Sequence, residues 1–179
     1  MFYFLPVETV PGGAMRTGVI YCVDDEPDIL QLYEDILLAD GHAVELFPDG
    51  GTALNRIASR HPDLILLDER MNDLSGMAVC ARLRGDTRLP FIPIIMVTGV
   101  DSKEGKIASL EGGIDDYILK PFDPDELLAR VRVMLRIKGL YETLRRTRED
   151  LVKAEKTAVF GKLAAAMAHE IRNPLSIIG

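Results

Sequence analysis

Tryptophan is absent from this 179-residue chain, which carries only five tyrosines and six phenylalanines. A large aromatic stacking surface for nucleic acid is therefore not expected. There are two cysteines, Cys22 and Cys80, too few for a disulfide framework or a zinc site. They are expected as small buried thiols in a reducing cytosol. Long apolar runs are missing too. Met1 to Val7 is apolar, but roughly a third of the length a membrane span needs. It lacks the basic start of a signal peptide, so no membrane span and a cytoplasmic location are expected. No internal repeat, low-complexity tract, Walker-type loop or GxGxxG occurs.

The net charge is −7 with 47% hydrophobic residues, which fits one main globular domain with room for an appendage. The charge is uneven. Residues 1–137 carry 13 Lys and Arg against 23 Asp and Glu, while residues 138–179 carry 8 against 5. An acidic body argues against DNA or RNA as partner and suits a site that gathers carboxylates around a cation.

Pro6, Pro11, Gly12 and Gly13 mark residues 1–17 as a loose leader, and Met15 stands just before the patterned sequence. From Gly18 to Arg136, short apolar runs alternate with amphipathic stretches. The runs are Val19–Val23, Ala43–Phe47, Leu64–Leu67, Ile94–Val97 and Tyr117–Leu119, short and mostly β-branched or leucine like buried parallel strands. Helices are predicted over 27–39, 51–60, 76–84, 103–111 and 124–136. In the first, Ile29, Leu32, Tyr33, Ile36 and Leu37 share one face, and Pro27 stands in the first turn, where proline is tolerated. The last opens with Asp123-Pro124-Asp125-Glu126, near to a capping box. Five βα units imply an α/β fold, a doubly wound five-stranded parallel sheet, with ligands at the carboxyl ends of its strands.

Those ends carry the chemistry. Asp24 and Asp25 follow the first strand, Asp68 the third, Thr98 the fourth, and Lys120-Pro121 the fifth. Converging carboxylates repel one another unless a cation joins them, and hard oxygen ligands suit Mg²⁺. A metal and Lys120 can neutralise the oxygens of a moving phosphoryl group. Thr98 can donate a hydrogen bond to it, and one carboxylate can attack in line to become an acyl phosphate. Asp68 is the best nucleophile, because the adjacent pair Asp24 and Asp25 is suited to hold metal.

With these residues in place, 18–136 resembles a response-regulator receiver domain of flavodoxin-like fold. Asp68 to Thr98 is 30 residues and Asp68 to Lys120 is 52, as that family expects. The resemblance implies that Asp68 takes the phosphoryl group from a cognate histidine kinase or phosphotransfer protein. It implies Mg²⁺ on Asp25 and Asp68, with Asp24 acting through water and the backbone carbonyl of Arg70 as a further ligand. It also implies a cis peptide before Pro121 and an aromatic switch at Tyr117 that turns inward as Thr98 moves. The family usually has Met-Pro where this chain has Met71-Asn72, so a less stiff loop is expected there.

Beyond Arg136 the pattern changes. Ile137, Leu144, Leu151 and Ala158 repeat every seven residues, with Leu140, Thr147 and Ala154 three further on. This is a modest heptad seam, imperfect at Thr147, and it predicts a coiled-coil linker over 137–158. No second helix remains to cover the stripe, so a parallel homodimer through residues 137–179 is expected. Residues 159–179 contain His169-Glu170-Ile171-Arg172-Asn173-Pro174. Glu170 can hold a proton from the imidazole, and Pro174 leaves the Glu170 carbonyl without its helical N–H partner. The run resembles the H-box that begins the phosphoacceptor domain of sensor histidine kinases. That likeness implies autophosphorylation at His169, an acid/base role for Glu170 and a water-positioning role for Asn173. The sequence stops at Gly179 inside the first helix of such a hairpin, so ATP would bind only in a missing C-terminal domain, and the chain is expected to be the front of a longer protein.

Two readings follow. In the first, a hybrid two-component protein uses phosphorylation of Asp68 to regulate a histidine kinase. A helix continued from Pro124 would link the two, a register change altering access to His169. Gly139 is its weak point. In the second, the chain is a stand-alone, non-enzymatic regulator that dimerises or binds a partner, and His169 is incidental.

Overall fold

A computed structural model describes residues 17–99 and 113–172. The order is β1 (Val19–Val23), α1 (Pro27–Ala39), β2 (Ala43–Phe47), α2 (Gly50–Ser59), β3 (Leu64–Asp68), α3 (Gly76–Gly85), β4 (Ile94–Thr98), β5 (Asp116–Leu119) and α4 (Pro124–Arg172). The sequence-predicted helix over 103–111 lies outside the described residues, as does the leader over residues 1–16.

The five strands form one sheet in the order β2-β1-β3-β4-β5, and each pairing is parallel. Alternation along the strands explains the double winding, because successive side chains leave opposite faces. Ile20, Cys22, Leu64, Leu66, Ile95 and Val97 share one buried cluster with Leu30, Tyr33 and Leu37 of α1 and Leu127, Val131 and Leu135 of α4. Tyr21, Val23, Ile65, Leu67, Ile94 and Met96 share the other with Ala53 and Ile57 of α2 and Val79, Cys80 and Leu83 of α3. Both cysteines are free and buried as expected, and burial pushes both thiols up.

The helix starts have local causes. Asp49 accepts from the Thr52 amide at 2.7 Å, and Ser75 Oγ accepts from Ala78 at 3.3 Å. Pro27 opens α1, whose N-cap Glu26 makes no side-chain cap bond. At the start of α4, Asp123 accepts from Asp125 at 2.7 Å, but Glu126 turns its carboxylate to Arg130 at 2.8 Å. The capping box read from the sequence is thus half formed, because a guanidinium one turn on outcompetes the backbone N–H.

The chain divides into two compact units, residues 1–138 and 139–179. In the first, buried Lys138 donates to the Pro62 carbonyl at 2.9 Å and to Asp63 at 2.8 Å, and Asp63 also accepts from the Val19 amide at 2.9 Å. In the second, the described residues are helical, with Leu140, Leu144, Leu151, Val159, Phe160 and Leu163 exposed. Thr147, the flaw in the heptad seam, returns its hydroxyl to the Thr143 carbonyl at 3.0 Å. It leaves no unmet donor, only a missing apolar side chain. Among the described residues no helix is long and apolar enough to cross a membrane.

Candidate functional site

The reversal of strand order between β1 and β3 places the site. Asp24 and Asp25 follow β1, and Asp68 is the last residue of its central neighbour β3, paired with Val97 of β4. Thr98 ends β4 opposite Leu119. Ladder bonds continue past the strands and hold the ends together. Asp24 N donates to Phe47 O at 3.1 Å, Glu69 N to Val97 O at 2.9 Å, and Lys120 N to Thr98 O at 2.7 Å. The Lys120–Pro121 peptide is cis, as expected.

Lys120 occupies the middle of the acidic cluster. Its ammonium lies 2.7 Å from Asp68 Oδ1, 2.8 Å from Asp24 Oδ2 and 3.3 Å from Glu26 Oε1. Asp24 is fully buried and Asp68 nearly so. Burial pushes the Asp24 carboxyl up, with the nearby Asp68 charge adding to it, while the bonds from Lys120 and the Glu26 amide pull it back. For Lys120 burial alone would lower the pKa, but the bonds to Asp24 and Asp68 outweigh it and raise it. The ammonium is therefore a fixed positive charge. Asp68 Oδ2 accepts from the Arg70 amide at 2.7 Å, which fixes the carboxylate plane.

Asp25 is held differently. Asn72 donates to its Oδ2 from the backbone at 3.1 Å and from the side chain at 2.5 Å. The position expected to loosen the loop for want of proline thus ties it down. Thr98 is buried, and its hydroxyl donates to Glu69 Oε2, with a weaker contact to Gly99 O at 3.3 Å. Tyr117 is half-buried and packs against the β-sheet face that α2 and α3 cover. His169 and Glu170 fall within the span of α4, with side chains outside what is described. Asn173 lies outside the described residues.

Among the described residues no three His, Cys, Asp or Glu side chains are grouped so as to hold a metal ion by themselves. The expected ligand set asks less of the side chains. It takes one oxygen each from Asp25 and Asp68, the Arg70 carbonyl, and water for the rest. Those are hard oxygen donors, and the set fits Mg²⁺ in kind.

Three participants were not identified from the sequence. Glu69 carried no sequence signal, and Asn72 stood out only as the residue in place of the usual proline. Gly76 looked like an ordinary helix start, yet a Cβ there would lie 2.2 Å from the Asp68 carbonyl oxygen. The only signal was composition, a glycine directly behind the Ser75 cap.

A family model described as response regulator receiver domain matches residues 20–132. The DNA-binding response regulator MtrA of Mycolicibacterium smegmatis is 38% identical over 117 residues, 65% of this chain and 50% of MtrA. The chain thus spans about half the length of the curated relatives it matches. A CheY-like receiver domain protein from Methanospirillum hungatei superposes with a TM-score of 0.64 at 31% identity, covering 69% of this chain and 98% of that one. The receiver domain of a signal transduction histidine kinase from Syntrophus aciditrophicus gives 0.63 at 32% identity, covering 67% and 91%.

Proposed function

Starting from the fact that this chain belongs to the response regulator receiver family, we propose that Asp68 is its phosphoacceptor. The observation that carries this is Lys120, whose ammonium touches both Asp68 and buried Asp24 within 2.8 Å. An Asp68 oxygen attacks the phosphorus of the donor. The O–P bond forms as the bond from phosphorus to the donor's leaving atom breaks, and the leaving group departs with that electron pair. The product is an aspartyl phosphate. Lys120 stays protonated and faces the oxygens of the arriving group, and Thr98 donates its hydroxyl to them. Asp25, Asp68 and the Arg70 carbonyl would hold Mg²⁺, with Asp24 contributing through water, and the ion would supply charge neutralisation on the phosphoryl oxygens.

The phosphodonor is a cognate histidine kinase or phosphotransfer protein, and the output is regulation of a kinase module whose own phosphoacceptor is His169, with Glu170 as acid/base partner and Asn173 positioning water. Two observations support this reading. A receiver domain of a histidine kinase is among the similar solved structures. The 139–179 unit also leaves a row of large apolar side chains exposed, which a second copy would cover in a parallel homodimer. The chain works in the cytoplasm, and Tyr117 and cis-Pro121 belong to the switch.

The second reading is a regulator without kinase activity. The name of MtrA favours it, since that protein is called DNA-binding. The acidic charge of residues 1–137 speaks against nucleic acid on the receiver itself.

Intact mass after incubation with a small-molecule phosphodonor tests the chemistry. One added phosphoryl group, lost in Asp68→Asn and on omitting Mg²⁺, supports it. No gain in the native chain refutes it.

A further inference from the structure

The Thr98 hydroxyl has one proton to donate, and in this structure Glu69 receives it. Building on the reading that Asp68 is phosphorylated, we propose that Glu69 is a positioning residue. It holds the Thr98 hydroxyl away from Asp68 until phosphorylation displaces it. A carboxylate is a stronger acceptor for a hydroxyl than a neutral carbonyl, so the contact to Gly99 O at 3.3 Å is secondary.

The backbones on both sides are fixed. Glu69 N donates to Val97 O at 2.9 Å, and Gly76 N donates to Glu69 O at 3.0 Å. Thr98 pairs with Leu119, and its carbonyl accepts from Lys120 N at 2.7 Å. With both backbones held in the ladder, side-chain rotation is enough to break the contact. Glu69 makes no ion pair with a described residue, and it is half-exposed where Thr98 is buried. The carboxylate can therefore swing to water, whereas a buried hydroxyl must find another acceptor. A phosphoryl group on Asp68, adjacent in sequence to Glu69, supplies one and repels the carboxylate at the same time. Glu69 thus opposes the activated arrangement twice, by occupying the hydroxyl and by its charge.

The two effects separate in a double-mutant cycle on the full chain. Phosphorylation by acetyl phosphate with Mg²⁺ is followed by intact mass for the native chain, Glu69→Ala, Thr98→Val and both together. Glu69→Ala is expected to speed phosphorylation about tenfold with Thr98 present, the equivalent of losing one charge-assisted hydrogen bond of ~1.4 kcal/mol. It should have a clearly smaller effect beside Thr98→Val. Equal effects in both backgrounds would mean plain repulsion and overturn the proposal. A second measurement does not depend on phosphorylation. The Thr98 χ1 angle, read from three-bond NMR couplings, should be fixed in the native chain and averaged in Glu69→Ala. An averaged angle in the native chain, or a fixed one in both, would overturn the proposal even if Asp68 accepted no phosphoryl group.

Discussion

Replacing Gly76 by alanine should destabilise the receiver unit, against the usual tendency of glycine-to-alanine changes in helices. The added Cβ would sit 2.2 Å from Asp68 O, 3.1 Å from Asp68 C and 2.9 Å from Met96 Sδ. Met96 can shift its flexible end. The Asp68 carbonyl cannot, because Asp68 pairs with Val97 and the next amide, Glu69 N, bonds Val97 O. The start of α3 must therefore retreat by about 1 Å, weakening the 3.0 Å bond from Gly76 N to Glu69 O. Overpacking of this kind costs ~3 kcal/mol at the upper end of its range, and the hydrogen bond adds ~1 kcal/mol. Alanine returns at most ~1 kcal/mol through helix propensity and a less flexible unfolded chain. The net loss is about 3 kcal/mol. At roughly 4 °C per kcal/mol for a unit of this size, the melting point should fall by about 12 °C. Calorimetry on the full chain measures it, with Gly85→Ala as a control in the same helix. Nothing lies within 4 Å of a Cβ at Gly85, so the control should stay within ~0.5 kcal/mol. A Gly76→Ala variant as stable as the native chain would mean that the Asp68 carbonyl does not bar a Cβ at this position.

Lys120→Met removes the ammonium that touches Asp24 and Asp68, and should slow phosphorylation by acetyl phosphate by about 10² or more in a mass assay. Acidification should weaken the fold in two steps. Burial holds His42 below its usual value of 6.5, with Gly18 N donating to Nδ1 at 3.3 Å, and with Asp40 and Arg132 as the charged groups nearby. The unfolded chain then takes up a proton first, so stability present above about pH 6.5 is lost as pH falls below it. The Arg132 guanidinium bonded to Asp40 holds that carboxyl below its usual range, so its contribution is present above about pH 4 and lost on further acidification. An NMR titration of His42 with a midpoint above 6.5 would contradict the first step. Leu144→Lys with Leu151→Lys should turn the expected dimer into a monomer in sedimentation equilibrium, since both side chains are about two-thirds exposed, 69% and 66%; an unchanged mass would exclude that seam.

Most of the fold was legible because buried parallel strands announce themselves as short β-branched runs. Val19–Val23 and Ala43–Phe47 match residue for residue. Asp68 and Thr98 fall inside their strands instead of just after them, because the ladder extends to a polar residue that the hydrophobic pattern excludes. The helix expected to continue from Pro124 into the linker is a single element, Pro124–Arg172. Loss of apolar burial shifts the pattern there without interrupting helical propensity. The site was legible as positions and illegible as contacts. Spacing placed Asp24, Asp68, Thr98 and Lys120 at strand ends. It could not show that Asn72 would bond Asp25 or that Glu69 would take the Thr98 hydroxyl, since both depend on rotamers chosen across the sheet. Proline's absence at Asn72 was visible, while the amide that compensates for it acts only once β1 and β3 stand side by side.

Phosphorylation of Asp68 would leave an acyl phosphate on its side chain. Borohydride reduces such a group to an alcohol, so trapping the phosphorylated chain and mapping its peptides by mass locates the modification directly. Homoserine is expected at position 68 and at no other aspartate. An unmodified Asp68 in a chain that has gained a phosphoryl group, or homoserine at Asp24 or Asp25 instead, would contradict phosphorylation of Asp68.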